Sequence, residues 1–109
     1  MWGTEIDLAD GLARMSAAYA PGSLNASQNL PGSHDTARFL HESGGDPERL
    51  HLAAVLQMTL PGSPGLYYGD DVGTTGSEEP ASRGAFPWHR TERWNRTQLE
   101  RVRALTALR

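Results

Sequence analysis

The chain contains no cysteine and no lysine among its 109 residues. The first absence excludes disulfide scaffolds, thiol nucleophiles and cysteine-ligated zinc at once. It fits a reducing compartment, so a cytoplasmic protein is expected. The second absence leaves all ten basic side chains as arginine, which weakens any reading as a lysine-rich nucleic-acid arm. Apolar runs near eighteen residues are also missing, so no membrane span is expected. The start, Met-Trp-Gly-Thr-Glu-Ile-Asp, has neither a basic opening nor an apolar stretch behind it, so no secretory leader is expected either.

Charge is unevenly spread. Residues 1–80 carry three Arg against eleven acids, a balance of −8, and residues 81–109 carry seven Arg against two acids, a balance of +5. Glu92 and Glu100 interleave with the arginines of that second part. It therefore reads as a solvated helix face, and no nucleic-acid partner is expected. The length suits one small domain.

Helical signals are clear at three places. Thr4 is placed to cap a helix, with Asp7 three residues on in a capping-box arrangement. Leu8, Leu12, Met15 and Tyr19 follow as one apolar stripe, which predicts a helix over about 5–19, ended by Pro21-Gly22. Asp46-Pro47-Glu48 combines an N-cap, a first-turn proline and an acid at the positive end of the dipole. Leu50 to Leu60 is then apolar almost all round apart from His51, Gln57 and Thr59, so this second helix is expected to be buried on most faces. Leu99, Val102, Leu105 and Leu108 predict a last helix over 98–108.

Between the helices, residues 24–34 are placed as a strand, although Pro31 and Gly32 argue against a regular central one. Leu66-Tyr67-Tyr68, flanked by glycines, reads as a short buried strand. Residues 69–96 show no period, yet they carry Phe86, Trp88 and Trp94, which argues for an ordered functional loop. The order is helix, strand, helix, strand, long loop, helix, the alternation of a parallel α/β sheet. Two strands cannot close a barrel or make a two-sided core.

Residues 33–38 read Ser-His-Asp-Thr-Ala-Arg. Neighbours in sequence point to opposite faces of a strand and do not face each other on a helix. Ser33-His34-Asp35 is therefore not a hydrolytic triad, which is assembled from residues distant in sequence. His34-Asp35 and Tyr68-Gly69-Asp70-Asp71 both fall where strands would end, the edge at which α/β folds gather function. Carboxylates there suit an oxocarbenium-like transition state, and tryptophan and tyrosine offer flat faces with polar edges that suit a sugar. Asp70, Asp71, Glu78 and Glu79 do not have the spacing of a calcium loop, so no metal is expected.

Three stretches, "SHDTARFL" (33–40), "GGDPERLHLAAVLQMTLPGSPGLYYGDDVG" (44–73) and "EPASRGAFPW" (79–88), closely resemble the last part of the catalytic barrel of the alpha-amylase family, glycoside hydrolase family 13. The neopullulanase, cyclomaltodextrinase and alpha-glucosidase branch is the nearest. The resemblance covers nearly the whole chain. It implies that residues 1–109 are the C-terminal fragment of a (β/α)8 TIM barrel, running from helix six through strand seven, helix seven, strand eight and a long loop to helix eight. It further implies an alpha-glucan or malto-oligosaccharide substrate, no cofactor, and a need for the rest of the barrel.

By the same resemblance Asp35 is the catalytic residue that stabilises the transition state. His34 would bond the same sugar's hydroxyls, Arg38 would be a structural or substrate contact, and Glu79 with Arg83 would hold a sugar beyond the cleaved bond. Three positions depart from the branch. Pro31 stands in place of a leucine, Asp71 in place of a glutamate, and Glu79 in place of an aspartate. The family's nucleophile and acid/base follow strands four and five, which the matched region does not include, so the chain alone is expected to be inactive. A catalytically dead carbohydrate-binding protein using Trp88, Trp94 and Arg83 is the alternative.

Overall fold

The computed structural model describes residues 7–109. The Thr4 cap and the first residues of the predicted helix 5–19 lie outside the described residues. α1 spans Leu8–Ala18, and Asp7 itself is its N-cap, accepting a bond from the Ala9 amide. This corrects the placement of Asp7 inside the first turn. Pro21 does not end helical structure. It opens a second helix, α2, over Pro21–Ala26, because a fixed φ and a missing N–H cost nothing at a first helical position.

β1 is only Gln28–Asn29, and its parallel partner β2 is Ser63–Pro64, with Gln28 opposite Ser63 and Asn29 opposite Pro64. The second strand is thus earlier than expected, and Leu66-Tyr67-Tyr68 lies beyond it. The ladder bonds run from the Ser63 amide to the Ser27 carbonyl and from the Gly65 amide to the Asn29 carbonyl, both 2.8 Å. Gly62, at φ 101°, permits this approach, since a Cβ there would meet the Ser27 carbonyl oxygen at 2.5 Å.

A short helix α3 (Phe39–Glu42), absent from the sequence expectation, leads into α4 (Pro47–Thr59). Asp46 caps α4 through the Glu48 amide at 2.9 Å, with Pro47 at the first helical position, as the sequence predicts. α4 buries Leu50, Ala54, Gln57 and Met58, whereas Leu52 is 65% exposed. Full burial is confined to one face, with His51, Ala53, Val55 and Leu56 half-buried beside it and only Leu52 and Thr59 exposed between Leu50 and Leu60. The covering layer is α5 (Arg96–Leu108), capped by Asn95, whose side chain accepts from the Gln98 amide at 2.9 Å. Leu99 and Val102 of α5 complete the core with Leu40, Leu50, Ala54, Met58 and Val72.

Gln57 is the polar residue in the apolar helix that has a structural reason. Its side-chain amide donates to the Asn29 carbonyl (3.1 Å) and the Gly65 carbonyl (2.6 Å), locking α4 under both strands. The long stretch from 69 onward is ordered by three 3-10 turns, Asp70–Val72, Ala81–Arg83 and Thr91–Arg93. Its aromatics pack together: Phe86 lies 4.4 Å from Trp88 and 5.6 Å from Trp94 between ring centroids, and the Trp94 indole donates to the Pro87 carbonyl.

Several large apolar side chains stand open to solvent. Leu8, Met15, Tyr19, Leu30, Leu52 and Leu66 are all exposed, and the described sheet has two strands whose outer edges pair with nothing. Such surfaces and edges associate. Light scattering on the eluted chain is expected to report oligomers at tens of micromolar; a monodisperse monomer with a sharp thermal transition would count against this.

Candidate active site

The segment leaving β1 and the segment leaving β2 meet beyond the carboxyl ends of the two parallel strands. The first folds into a tight turn. The Asp35 amide donates to Ser33 Oγ at 3.2 Å, and the Ser33 amide to Thr36 Oγ1 at 3.4 Å. Ser33 is thereby a turn-forming residue, which agrees with its exclusion as a nucleophile.

Four of the five site residues expected from the sequence converge here. His34 Nε2 lies 3.1 Å from Asp35 Oδ1. Arg83 Nε donates to the His34 carbonyl at 3.1 Å, and Arg83 Nη2 stands 3.8 Å from Asp35 Oδ1. The same guanidinium also pairs with Glu79. Asp35 and Glu79 line a cleft of about 1100 Å³, walled by Leu30, Pro31, Phe39 and Arg49 among others. The Asp35 side chain is 70% exposed, so these ion pairs add little stability. They set direction, and they leave the carboxylate accessible to a hydroxylated ligand.

Arg38 is placed differently. Its guanidinium is buried and does not line the cleft. Nη1 donates to the Tyr68 carbonyl at 2.6 Å and to Asp70 Oδ1 at 3.2 Å. The guanidinium carbon lies 4.5 Å from the Tyr67 ring centroid and 4.6 Å from that of Tyr68, within cation–π range. Gly69 makes room for this contact. At φ 89° it turns the backbone sharply, and a Cβ there would meet Thr74 Oγ1 at 2.6 Å and Arg38 Nη1 at 3.3 Å.

Asp70 is the residue whose role sequence reasoning missed. It was visible as part of the Tyr68–Asp71 cluster, but its carboxylate turns inward to Arg38 instead of outward to the cleft. Burial pushes its pKa up to about 6, with Asp71 adding to the rise and Arg38 opposing it. Desolvation therefore outweighs the ion pair.

The matches to known proteins follow the same outline. The family model for the alpha-amylase catalytic domain matches residues 7–105. A cyclomaltodextrinase of Geobacillus thermopakistaniensis (strain MAS1) is 40% identical over 94% of this chain, and a maltogenic alpha-amylase of Bacillus acidopullulyticus is 44% identical over 82% of it. The solved cyclic alpha-maltosyl-(1→6)-maltose hydrolase of Arthrobacter globiformis superposes with a TM-score of 0.88, at 42% identity over 93% of this chain. The chain spans 17% and 15% of the two relatives' lengths and 23% of the solved one. Such solved relatives are TIM-barrel enzymes, and this α/β arrangement fits part of a barrel. The chain belongs to the alpha-amylase family of glycoside hydrolases.

The raised Asp70 pKa fixes the sign of a stability effect. The folded state holds this proton more tightly than the unfolded chain, whose ordinary value is 3.8. Asp70 then contributes stability that is complete below 3.8 and is lost as pH rises through about 6. Relative to Asp70→Asn, the wild-type chain should gain on the order of a few kcal/mol between neutral pH and the lower limit. Urea unfolding of both proteins at several pH values measures it; parallel curves would show that Asp70 titrates normally.

Proposed function

We propose that this chain is the C-terminal part of the catalytic barrel of an alpha-glucan hydrolase, from helix six through helix eight, in which Asp35 stabilises the transition state. The observation that carries the proposal is the convergence of Asp35, His34, Glu79 and Arg83 beyond the carboxyl ends of two parallel strands, with Asp35 and Glu79 lining a cleft there. In TIM barrels that is the face where catalysis sits. Maltose and cyclic maltosaccharide ligands of solved relatives support an alpha-linked glucose substrate.

Each group then has a task. The Asp35 carboxylate meets hydroxyls of the sugar at the cleavage point, and its negative charge matters most once the ring becomes oxocarbenium-like. His34 donates to the same sugar. Arg83, held by Glu79, contacts a sugar further along. Glu79 is one methylene longer than the aspartate usual in the branch, and it pairs directly with Arg83. Arg38 serves as a structural contact. A retaining glycosidase also needs a nucleophile and an acid/base. These would come from barrel strands four and five, outside this chain.

Two outcomes follow. The 109-residue chain should release no nitrophenol from nitrophenyl alpha-glucoside above a buffer blank. A binding-only protein, which the exposed Trp88 packed at a tilt against Phe86 favours, would instead retain maltotriose without the missing strands. In the longer hydrolase, Asp35→Asn should lower kcat roughly a hundred- to a thousandfold while changing KM little, because the lost interaction strengthens only in the transition state. Arg83→Ala should mainly raise KM. Steady-state kinetics on maltotriose decide both, and an Asp35→Asn enzyme within about threefold of wild-type kcat would remove Asp35 from the role.

A further inference from the structure

Asp35 stands on a turn whose own bonds are local and exposed. Something else must hold that turn in register with Arg83, and three residues onward the chain supplies it. From the geometry we infer that Arg38 is a positioning residue, clamping the Asp35 turn and the Arg83 turn to one buried anchor. This rests on the role proposed for Asp35 and adds the device that places it.

The contacts close a circuit. The Arg38 amide donates to the Gly76 carbonyl at 2.9 Å, while its guanidinium holds the Tyr68 carbonyl and Asp70. The Tyr68 hydroxyl then donates to the Gly84 carbonyl at 2.8 Å, next to Arg83. Arg83 returns to the His34 carbonyl and to Asp35. The Arg83 end of the circuit is exposed and screened, so it is the weak end. The Arg38 end is buried and charge-assisted, so it is the strong one. Position is therefore set from the inside, by a residue that does not line the cleft.

Its energetics point the same way. Arg38 Nε and Nη2 are buried without a partner among the described residues, and so is Asp70 Oδ2. A buried ion pair with unmatched atoms is a poor source of stability compared with apolar packing of the same volume. What the pair provides that apolar packing does not is direction. The Nη1 bonds to Tyr68 and Asp70 fix the guanidinium in one orientation.

The test is hydrogen exchange of the 109-residue chain at micromolar concentration, read on overlapping peptides. Arg38→Met keeps an unbranched stem without donors. It should speed exchange in segments 33–38 and 81–84 by about tenfold or more, while α4 and α5 stay within about threefold of wild type. Arg38→Lys keeps the charge and a donor on a shorter stem without the planar face and should fall between. Wild-type exchange in both segments of the Met variant overturns the inference, as does a Lys variant no better than Met. Should the Met variant lose α4 and α5 protection too, Arg38→Lys and Asp70→Asn carry the test. Both must still loosen the two segments selectively, and uniform acceleration would make Arg38 a general stabilising residue. Exchange reads placement whatever Asp35 does in catalysis. Selective loosening together with a harmless Asp35→Asn would overturn only the role of Asp35.

Discussion

A guanidinium taken out of water must be given back both a counter-charge and hydrogen-bond acceptors, and Arg38 obtains both from the segment after β2. Asp70 supplies charge, Tyr68 a carbonyl, and Tyr67 and Tyr68 their ring faces. Desolvating each ion of a buried pair costs several kcal/mol even after relaxation. That Asp70 is pushed up to about 6 although a cation stands 3.2 Å away shows which effect wins locally. The fold tolerates this cost at one point. From that point the Asp35 turn, the tyrosine pair and the loop at Gly76 are all held.

Residue chemistry made the three longer helices legible, the short α2 and α3 not, and the strands hardly at all. Asp46-Pro47 marks the start of α4 to the residue, because a cap and a first-turn proline are local signals. The 99, 102, 105, 108 spacing finds α5, which begins two residues earlier than expected, at Arg96 behind the Asn95 cap. The strands are two residues each, too short for any period to register. Pro64 sits in β2 where the ladder bond runs from the neighbouring Gly65 amide, so the missing N–H is not needed. Leu66-Tyr67-Tyr68 has strand composition, yet its tyrosines are spent on Arg38, a tertiary demand that local propensity does not encode.

The site divides along the same line. His34-Asp35 and Arg83 stand in recognisable stretches of the sequence, and the structure brings these side chains together. The inward turn of Asp70 was not readable. It depends on a contact between residues 38 and 70, and on Gly69 at φ 89° aiming the carboxylate. Gln57 is a parallel case. In sequence it is a flaw in an apolar helix, and in the fold its amide bonds to the Asn29 and Gly65 carbonyls of both strand segments.

The exposure of Asp35 sets how strongly its charge can act across the cleft. Two unit charges 4 Å apart interact by about 1 kcal/mol in bulk water and about 4 kcal/mol at the effective dielectric of a protein surface. A 70% exposed carboxylate works near the first limit, where little of the charge on a developing oxocarbenium ion would be offset. Covering the cleft moves the same carboxylate toward the second limit without displacing it, because Arg38 already holds its turn from beneath. Placement and electrostatic strength thus come from different parts of the structure. Buried contacts within this chain supply the first, and exclusion of water from the cleft would supply the second.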